Sequence, residues 1–413
     1  MAMDHSEQIW PRVIILIDMN CFFAAVEQQD NPFWRNRPIA VTNGSQGTTI
    51  ITSSYEARAY GIKTGMRLKE ARQLCPELIQ APSRPHRYAE ISTRIMEGLE
   101  SITPDLEIFS VDEAFLDVTH CQSLLGTPIE MGHLVKKAVS DASGLTCSVG
   151  ISGDKTTAKY AAKLNKPDGL TLIAPWDAEA TLAPLHVTEL CGINTGTARF
   201  LAQYGVINCG DMKNIPISIP AKRFGNLGRR LWLMAQGKDP EQIQTHVNAP
   251  KTIGHGKVMP PQTKDLSTIL TYFQHMSEKV ATRLRKNNFK ASQFYIGLKT
   301  EQGWLHVKVK LSNATDDGKT LFKQCQQFTM MQWQGQGVWQ VQVTALNPDG
   351  GLQGDLFSDN KESHHRDKLN ITIDQINQRY GEFTIAPSRL IDRSSMPNVI
   401  APSWKPTGHR KTI

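Results

Sequence analysis

Two short apolar segments, each meeting acid, constrain this chain more than anything else in it. In RVIILIDMNCFFAAVE, residues 12–27, the run Val13 to Ile17 is continuously apolar and closes on Asp18. A strand of that kind is buried on both faces. In SVDEAFLDVT, residues 110–119, Asp112 and Glu113 stand side by side between Val111 and the apolar Ala114, Phe115 and Leu116. Carboxylates beside a buried strand are costly to desolvate unless something offsets their charge. Three acids on two strand ends form a ready site for divalent cations, and hard oxygen ligands suit Mg²⁺. Two such ions about 3.5–4 Å apart would clamp the attacking and leaving oxygens of a phosphoryl transfer. The alternative is that solvated acids simply end two strands, and for Asp18 taken alone both readings stay open.

The joint pattern goes further. DMNCFFAAVE, SSYEARAYGIKTGM, SVDEAFLD and VGISGDKTTAKYAAKLNKPDG follow one another in this order, with the first opening at residue 18 and the last closing at residue 169. The set resembles the Y-family DNA polymerases, the lesion-bypass enzymes, most nearly the DNA polymerase IV (DinB) type, and weaker similarity continues through nearly the whole chain. The resemblance implies an α+β multidomain fold: a right-hand polymerase with palm, small fingers, helical thumb and a ferredoxin-like little-finger domain. It implies template-directed, error-prone translesion synthesis from dNTPs on a primer 3′-OH, by a nucleotidyltransferase without proofreading. On this resemblance Asp18 and Asp112 bind two Mg²⁺, the carbonyl of Met19 adds a ligand, and Glu113 supports the ion near the primer end. Phe23 falls on the steric gate, an aromatic ring under the incoming sugar that leaves no room for a 2′-hydroxyl. One departure stands out: the first motif usually reads Asp-x-Asp, and its third position here is Asn20.

The chain divides accordingly. Residues 1–31 and 85–185 are the expected palm, with helices over about Tyr88 to Glu100 and Ile129 to Ser143 and a strand in LTCSVGIS. Residues 32–84 are the fingers, entered at Asn31-Pro32 and left at Pro82 and Pro85. There Thr52, Tyr55 and Arg58 stand near a helix start, where hydroxyls, backbone amides and a guanidinium suit a triphosphate. Lys155, Lys159, Lys163 and Lys166 form a stripe that is ordinarily a solvated face. The family places a lysine on the incoming triphosphate at Lys166, and Lys159 is a second candidate. Residues 186–248 are the thumb, where HVTELCGINTGTARFLAQYGV resembles a helix-hairpin-helix whose Gly192 and Gly196 let backbone amides meet DNA phosphates. Residues 249–253 are a linker.

Residues 254–346 read β-α-β-β-α-β, the split order of ferredoxin-like modules. In HVKVKLS, Val307, Val309 and Leu311 alternate inward against His306, Lys308 and Lys310 outward, a basic face for a duplex backbone. Residues 347–413 are a flexible tail with a clamp-binding motif: Gln353, Leu356 and Phe357 of GLQGDLFSDN resemble the bacterial sliding-clamp peptide. A helix is possible in the KLNITIDQINQRYGEF that follows.

Composition fits these expectations. No run of about 18 apolar residues exists, so no membrane span is expected. The N-terminus lacks signal-peptide features. The seven cysteines are scattered without a Cys-x-x-Cys pair, which argues against a disulfide framework or a zinc site and for a cytoplasmic protein. Residues 251–346 hold 11 Lys and 2 Arg against 3 Asp and 2 Glu, net +8 within a chain total of +7. A basic module beside an acidic one suits a nucleic-acid enzyme whose partners are primer-template DNA, dNTP and the clamp, and which works as a monomer. Two other classes remain open at this stage. One is a catalytically silent DNA- and clamp-binding accessory protein, favoured by Asn20 alone. The other is a palm-fold nucleotide cyclase, disfavoured by the hairpin and the basic module.

Overall fold

The apolar run ending at Asp18 is strand β1, Ile14–Met19, which turns at Cys21 (φ 40°) into helix α1, Phe22–Asp30. The structure is a computed structural model and describes residues 9–45, 47–246, 249–350 and 361–393. After α1 come β2 (Ile39–Thr42), β3 (Ile50–Ser53), the short helices α2 (Tyr55–Ala59) and α3 (Leu68–Leu74), and β4 (Ile79–Pro82). They form a three-stranded sheet, β3-β2-β4, over a small core of Ala40, Ile50, Ala57, Ile62, Leu68 and Ala71. Helix α4, Pro85–Glu100, then starts at a proline, whose fixed φ suits a first helical turn.

Next follow β5 (Leu106–Ile108), β6 (Glu113–Asp117), α5 (Gln122–Leu125), α6 (Pro128–Ser143), β7 (Cys147–Ser152), α7 (Lys155–Leu164) and β8 (Leu170–Leu172). Their sheet runs β5-β6-β1-β7-β8, with β1 central and antiparallel to both neighbours. Ile15, Ile17, Val149 and Ile151 pack with α4 and α6 through Tyr88, Ile91, Ile95, Met131 and Val135. Ile14, Leu16 and Phe115 point the other way, to Ala158 and Ala162 of α7. Covered on both faces, β1 has no polar side, which is why its sequence does not alternate.

Helices α8 (Ala178–Leu182), α9 (Thr195–Ala202), α10 (Ser218–Phe224) and α11 (Asn226–Met234) follow, and Leu182 of α8 joins Val187, Leu201, Met212 and Leu231 in one core, so that core draws on residues before 186, the expected start of the thumb. The expected helix-hairpin-helix differs in one respect. Its first arm is a single 3-10 turn, Val187–Glu189, because Leu190 and Ile193 turn into the core before a second turn can form.

Contact density divides the chain into two compact units, one running to Val247 and the second beginning at Asn248. The second unit carries β9 (Thr252–Thr263), α12 (Leu266–Lys286), β10 (Ala291–Thr300), β11 (Gly303–Thr315), α13 (Gly318–Gln332) and β12 (Val338–Leu346). The order is β-α-β-β-α-β and the sheet runs β11-β10-β12-β9. Strand β9 begins at Thr252, inside the stretch read as linker, since Thr252 and Ile253 already pair with Leu346 and Ala345.

The tail is not uniformly extended. Residues 361–380 form helix α14, followed by a 3-10 turn at Ser388–Asp392. Leu390 is fully buried, and Arg285 grips Asp374 while Asp317 takes Arg366 and Asn370. This segment docks through polar pairs, so it lacks the apolar periodicity by which a sequence announces a packed helix. Gln353, Leu356 and Phe357 lie outside the described residues. Among the described residues, no helix is long and apolar enough to cross a membrane.

Candidate active site

Register brings the acids together. Pairing of β1 with β6 sets Asp18 opposite Glu113, and the Met19 amide donates to the Asp112 carbonyl at 2.9 Å. Asp112, Glu113 and Asp18 therefore meet where the central strands end. Burial raises the Asp112 carboxyl above its ordinary range, opposed by a 2.6 Å hydrogen bond from Ser110 Oγ and reinforced by Asp18. Burial also raises Glu113, with Lys159 opposing and Asp18 and Asp112 adding to the rise. Acids pushed up by burial and by one another lack positive charge, and an all-oxygen set fits hard divalent cations.

Two lysines currently supply part of that charge. Lys166 Nζ lies 2.5 Å from Asp18 Oδ1, and Lys159 Nζ 2.5 Å from Glu113 Oε1. Among the described residues no three acidic, imidazole or thiol groups are already converged as a metal cage. The arrangement is one of ion pairs from which the acids can be exchanged. The lysine stripe of α7 is thus solvated only at Lys163, while Lys155 and Lys159 are turned to acids. Lys155 is buried against Glu107 at 2.8 Å, and Lys163 Nζ donates to the Glu189 carbonyl at 3.3 Å.

Helix α7 can deliver Lys159 because Gly150 of β7 lets it approach. A Cβ on Gly150 would stand 2.1 Å from the Ala158 carbonyl oxygen and 2.4 Å from the Ala162 nitrogen. No side chain fits there.

Of the fingers residues, Tyr55 stands near enough to Asp18 to feel its charge. Tyr55 is half-buried, and burial raises its phenol, with Cys21 and Asp18 among the charges that add to the effect. Its hydroxyl is buried with no hydrogen-bond partner among the described residues. Arg58 lies 4.9 Å from the centre of the Tyr55 ring and its Nε donates to the Ser53 carbonyl at 3.1 Å. Thr52 sits on β3, three residues before Tyr55 and the start of α2. An orphaned hydroxyl beside an exposed guanidinium suits an oxyanion ligand.

Phe22 is buried, as its place in the core requires, whereas Phe23 is half-buried. Asn20 turns away from the acids: its Nδ2 donates to Thr146 Oγ1 at 3.0 Å and its Oδ1 accepts from Ser148 Oγ at 2.9 Å. With both ends of its amide engaged, it ties the end of β1 to β7. The departure from Asp-x-Asp is thereby accounted for as architecture.

Gly192 has φ +92° and open space around it, and Gly196 opens α9 behind the Asn194 cap. A second hairpin follows in the Gly-punctuated stretch that bears Arg229 and Arg230: α10 and α11 meet at Gly225, φ +65°, again in open space, with exposed Arg229 after it. The signal was present in RFGNLGRR, a glycine between two helical patterns followed by arginines. In the second unit Lys308 and Lys310 are exposed on β11, and neither enters an ion pair among the described residues.

Comparison with known proteins bears on the whole assembly. Residues 17–163 match the impB/mucB/samB family and residues 250–356 its C-terminal domain. A DNA polymerase IV of Moorella thermoacetica is 35% identical over 381 residues, covering 90% of this chain and 94% of that protein. One from Serratia proteamaculans is 38% identical over 248 residues, covering 59% and 70%. A solved Y-family DNA polymerase chimera superposes with a TM-score of 0.71 at 27% identity, over 81% of this chain and 98% of that one. With the paired acids, the lysines of α7 and the split β-α-β-β-α-β module in place, the chain belongs to the impB/mucB/samB family of Y-family, DNA polymerase IV-type enzymes and is a DNA-directed DNA polymerase.

Proposed function

We propose that this polymerase carries out translesion synthesis by two-metal-ion nucleotidyl transfer, without proofreading. The observation that carries the reading is that Asp18, Asp112 and Glu113 stand at adjoining strand ends, the last two held above the usual carboxylate range by burial first and by neighbouring negative charge. Asp18, Asp112, Glu113 and the carbonyl of Met19 would hold two Mg²⁺, which when bound polarise the phosphoryl group and lower the cost of forming the primer alkoxide. The protein's own groups do the positioning. Lys166 and Lys159 leave the carboxylates as cations arrive and turn to the triphosphate, joined by Thr52, Tyr55 and Arg58. Phe23 underlies the sugar and excludes a 2′-hydroxyl. Gly192 and Gly196 present backbone amides to DNA phosphates, while Lys308 and Lys310 follow the duplex backbone. Gln353, Leu356 and Phe357 tether the monomeric enzyme to the sliding clamp. The small fingers core, three Ala with two Ile, two Leu and one Cys, supports tolerance of distorted templates because little side-chain mass presses on the nascent pair.

Primer extension with Asp18→Ala and Asp112→Ala tests the reading. Loss of at least about 10³-fold in insertion is expected, with gel-shift affinity for primer-template within about threefold of the parent, since phosphate contacts lie mainly elsewhere. Insertion that survives either change defeats the two-metal assignment. DNA affinity that collapses with it defeats the division between metal and DNA sites.

A further inference from the structure

Beneath Phe23 lies a second aromatic ring. Phe23 and Tyr88 stack with centroids 4.2 Å apart and planes 14° from parallel. Tyr88 stands on the first turn of α4 and is fully buried. Its hydroxyl donates to Glu27 Oε1 at 2.7 Å. Glu27 is 3% exposed and receives Arg84 Nε on both oxygens, at 2.9 and 3.0 Å, with a terminal nitrogen of Arg84 2.9 Å from Oε2. A carboxylate that deep persists only when its partners offset the loss of water. Phe23 and Glu27 are four residues apart on α1 and share one face of it. The chain of contacts therefore starts and ends on the same helix: ring on ring, hydroxyl on carboxylate.

An excluding ring works only if it cannot recede. Discrimination against a 2′-hydroxyl is the free energy needed to displace whatever occupies its space. Phe23 has no polar atom to anchor it, so its resistance is set by what stands behind. Tyr88 stands there, and it cannot retreat without breaking its contact with Glu27. Arg84 locks that carboxylate from the point where the fingers return to the palm, one residue before α4.

We infer that Tyr88, held by Glu27 and Arg84, is the backstop of the sugar gate and a specificity-determining residue of this polymerase. The inference rests on the reading of Phe23 as the gate. The test is single-nucleotide insertion of dNTP and rNTP by the full chain, read as the ratio of the two kcat/KM values. Tyr88→Phe keeps the flat ring but loses its hold on Glu27 and lowers the ratio at least about threefold, whereas Tyr88→Leu and Tyr88→Met lower it at least about tenfold, with dNTP insertion within about threefold in all three. A merely structural residue would depress both substrates together and leave the ratio unchanged. That outcome, in variants that melt cooperatively, overturns the inference. Phe23→Ala separates the two readings. If it loses selectivity while the Tyr88 variants keep theirs, the gate stands and the backstop falls. If Phe23→Ala itself still rejects ribonucleotides, both fall. Two replacements of different shape leave one to decide when the other does not fold. Should neither fold, Arg84→Gln, at the half-exposed end of the chain, decides: a fall in the ratio of at least about threefold supports the backstop, and an unchanged ratio removes it.

Discussion

Asn20 shows how a motif residue is read by its neighbours. Its amide donates to Thr146 and accepts from Ser148, and the side chain is 4% exposed. Asn20→Ala leaves the buried Ser148 hydroxyl short of a partner, so unfolding free energy should fall by about 1–3 kcal/mol in urea titrations. Asn20→Asp still accepts from Ser148, and the Thr146 hydroxyl can turn to donate to it, so dNTP insertion should stay within about threefold of the parent. An Asn20→Ala protein of unchanged stability that cannot extend a primer would mean that the residue acts on substrate after all. At this scale the sequence was most legible where chemistry and spacing coincide: Asp18 falls opposite Glu113, beside Asp112, and Lys166 pairs with Asp18. It was least legible where a role depends on a partner far along the chain. Nothing in HRYAE marks Tyr88 as the ring under Phe23, because their 65-residue separation is bridged only by the fold.

Helices and strands were legible to the extent that they pack by apolar contact. The β1 run and the 3.6-residue pattern of α4 and α6 announce their elements, and both are core-forming. Helix α7 depends on something quieter. With its backbone only 2.1 Å from where a Cβ on Gly150 would lie, Gly150→Ala must push the helix outward and carry Lys159 with it. Insertion should fall by up to about 10²-fold, together with a lowered melting temperature. A variant that keeps parental kcat/KM would show that α7 can yield without moving its lysine. Helix α14 and its extension were harder to read, because they dock by charge. There His275 sits edge-on to Phe383 at 5.0 Å, among Lys257, Lys279, Arg393 and His255, with Glu382 paired to Lys279. Burial first, then those cations, push the imidazole down to about 3. The unfolded chain near 6.5 binds a proton that the folded one refuses, so stability is full above that pH and is lost as pH falls through it. At pH 5 the loss from His275 approaches about 2 kcal/mol, and His275→Gln should remove that share, leaving the one from His255, which burial pushes down to about 4. Hydrogen exchange of residues 361–393 at pH 7 and pH 5 measures this, and equal protection at both values in the parent would refute it.

For the molecule as a whole, charge is sorted by face as well as by unit. Within the second unit the helical side spends its cations internally: Arg285 on Asp374, Lys290 on Asp367, Lys279 on Glu382. The sheet side does not, since Lys308 and Lys310 stand exposed on β11 beside the stacked His306 and Tyr295. The net +8 read from residues 251–346 is therefore a poor guide to the number of phosphates held, because part of it is spent on docking the C-terminal helix. Binding should be salt-sensitive and blind to sequence, and if about five Lys or Arg meet phosphates, log K falls against log[salt] with a slope near −4 to −5. Lys308→Ala with Lys310→Ala should flatten that slope by about two, uniformly across primer-template sequences. The clamp peptide would act by another route, raising the effective concentration of enzyme at the primer terminus without adding a DNA contact. Removing Gln353 to Phe357 should accordingly leave the salt slope and single-turnover insertion unchanged while most of the stimulation by a loaded clamp disappears. Both effects can be read on one substrate, with and without clamp. A deletion that is still fully stimulated locates the clamp contact on another surface, and a slope near zero makes the basic face of β11 no more than a solvated one.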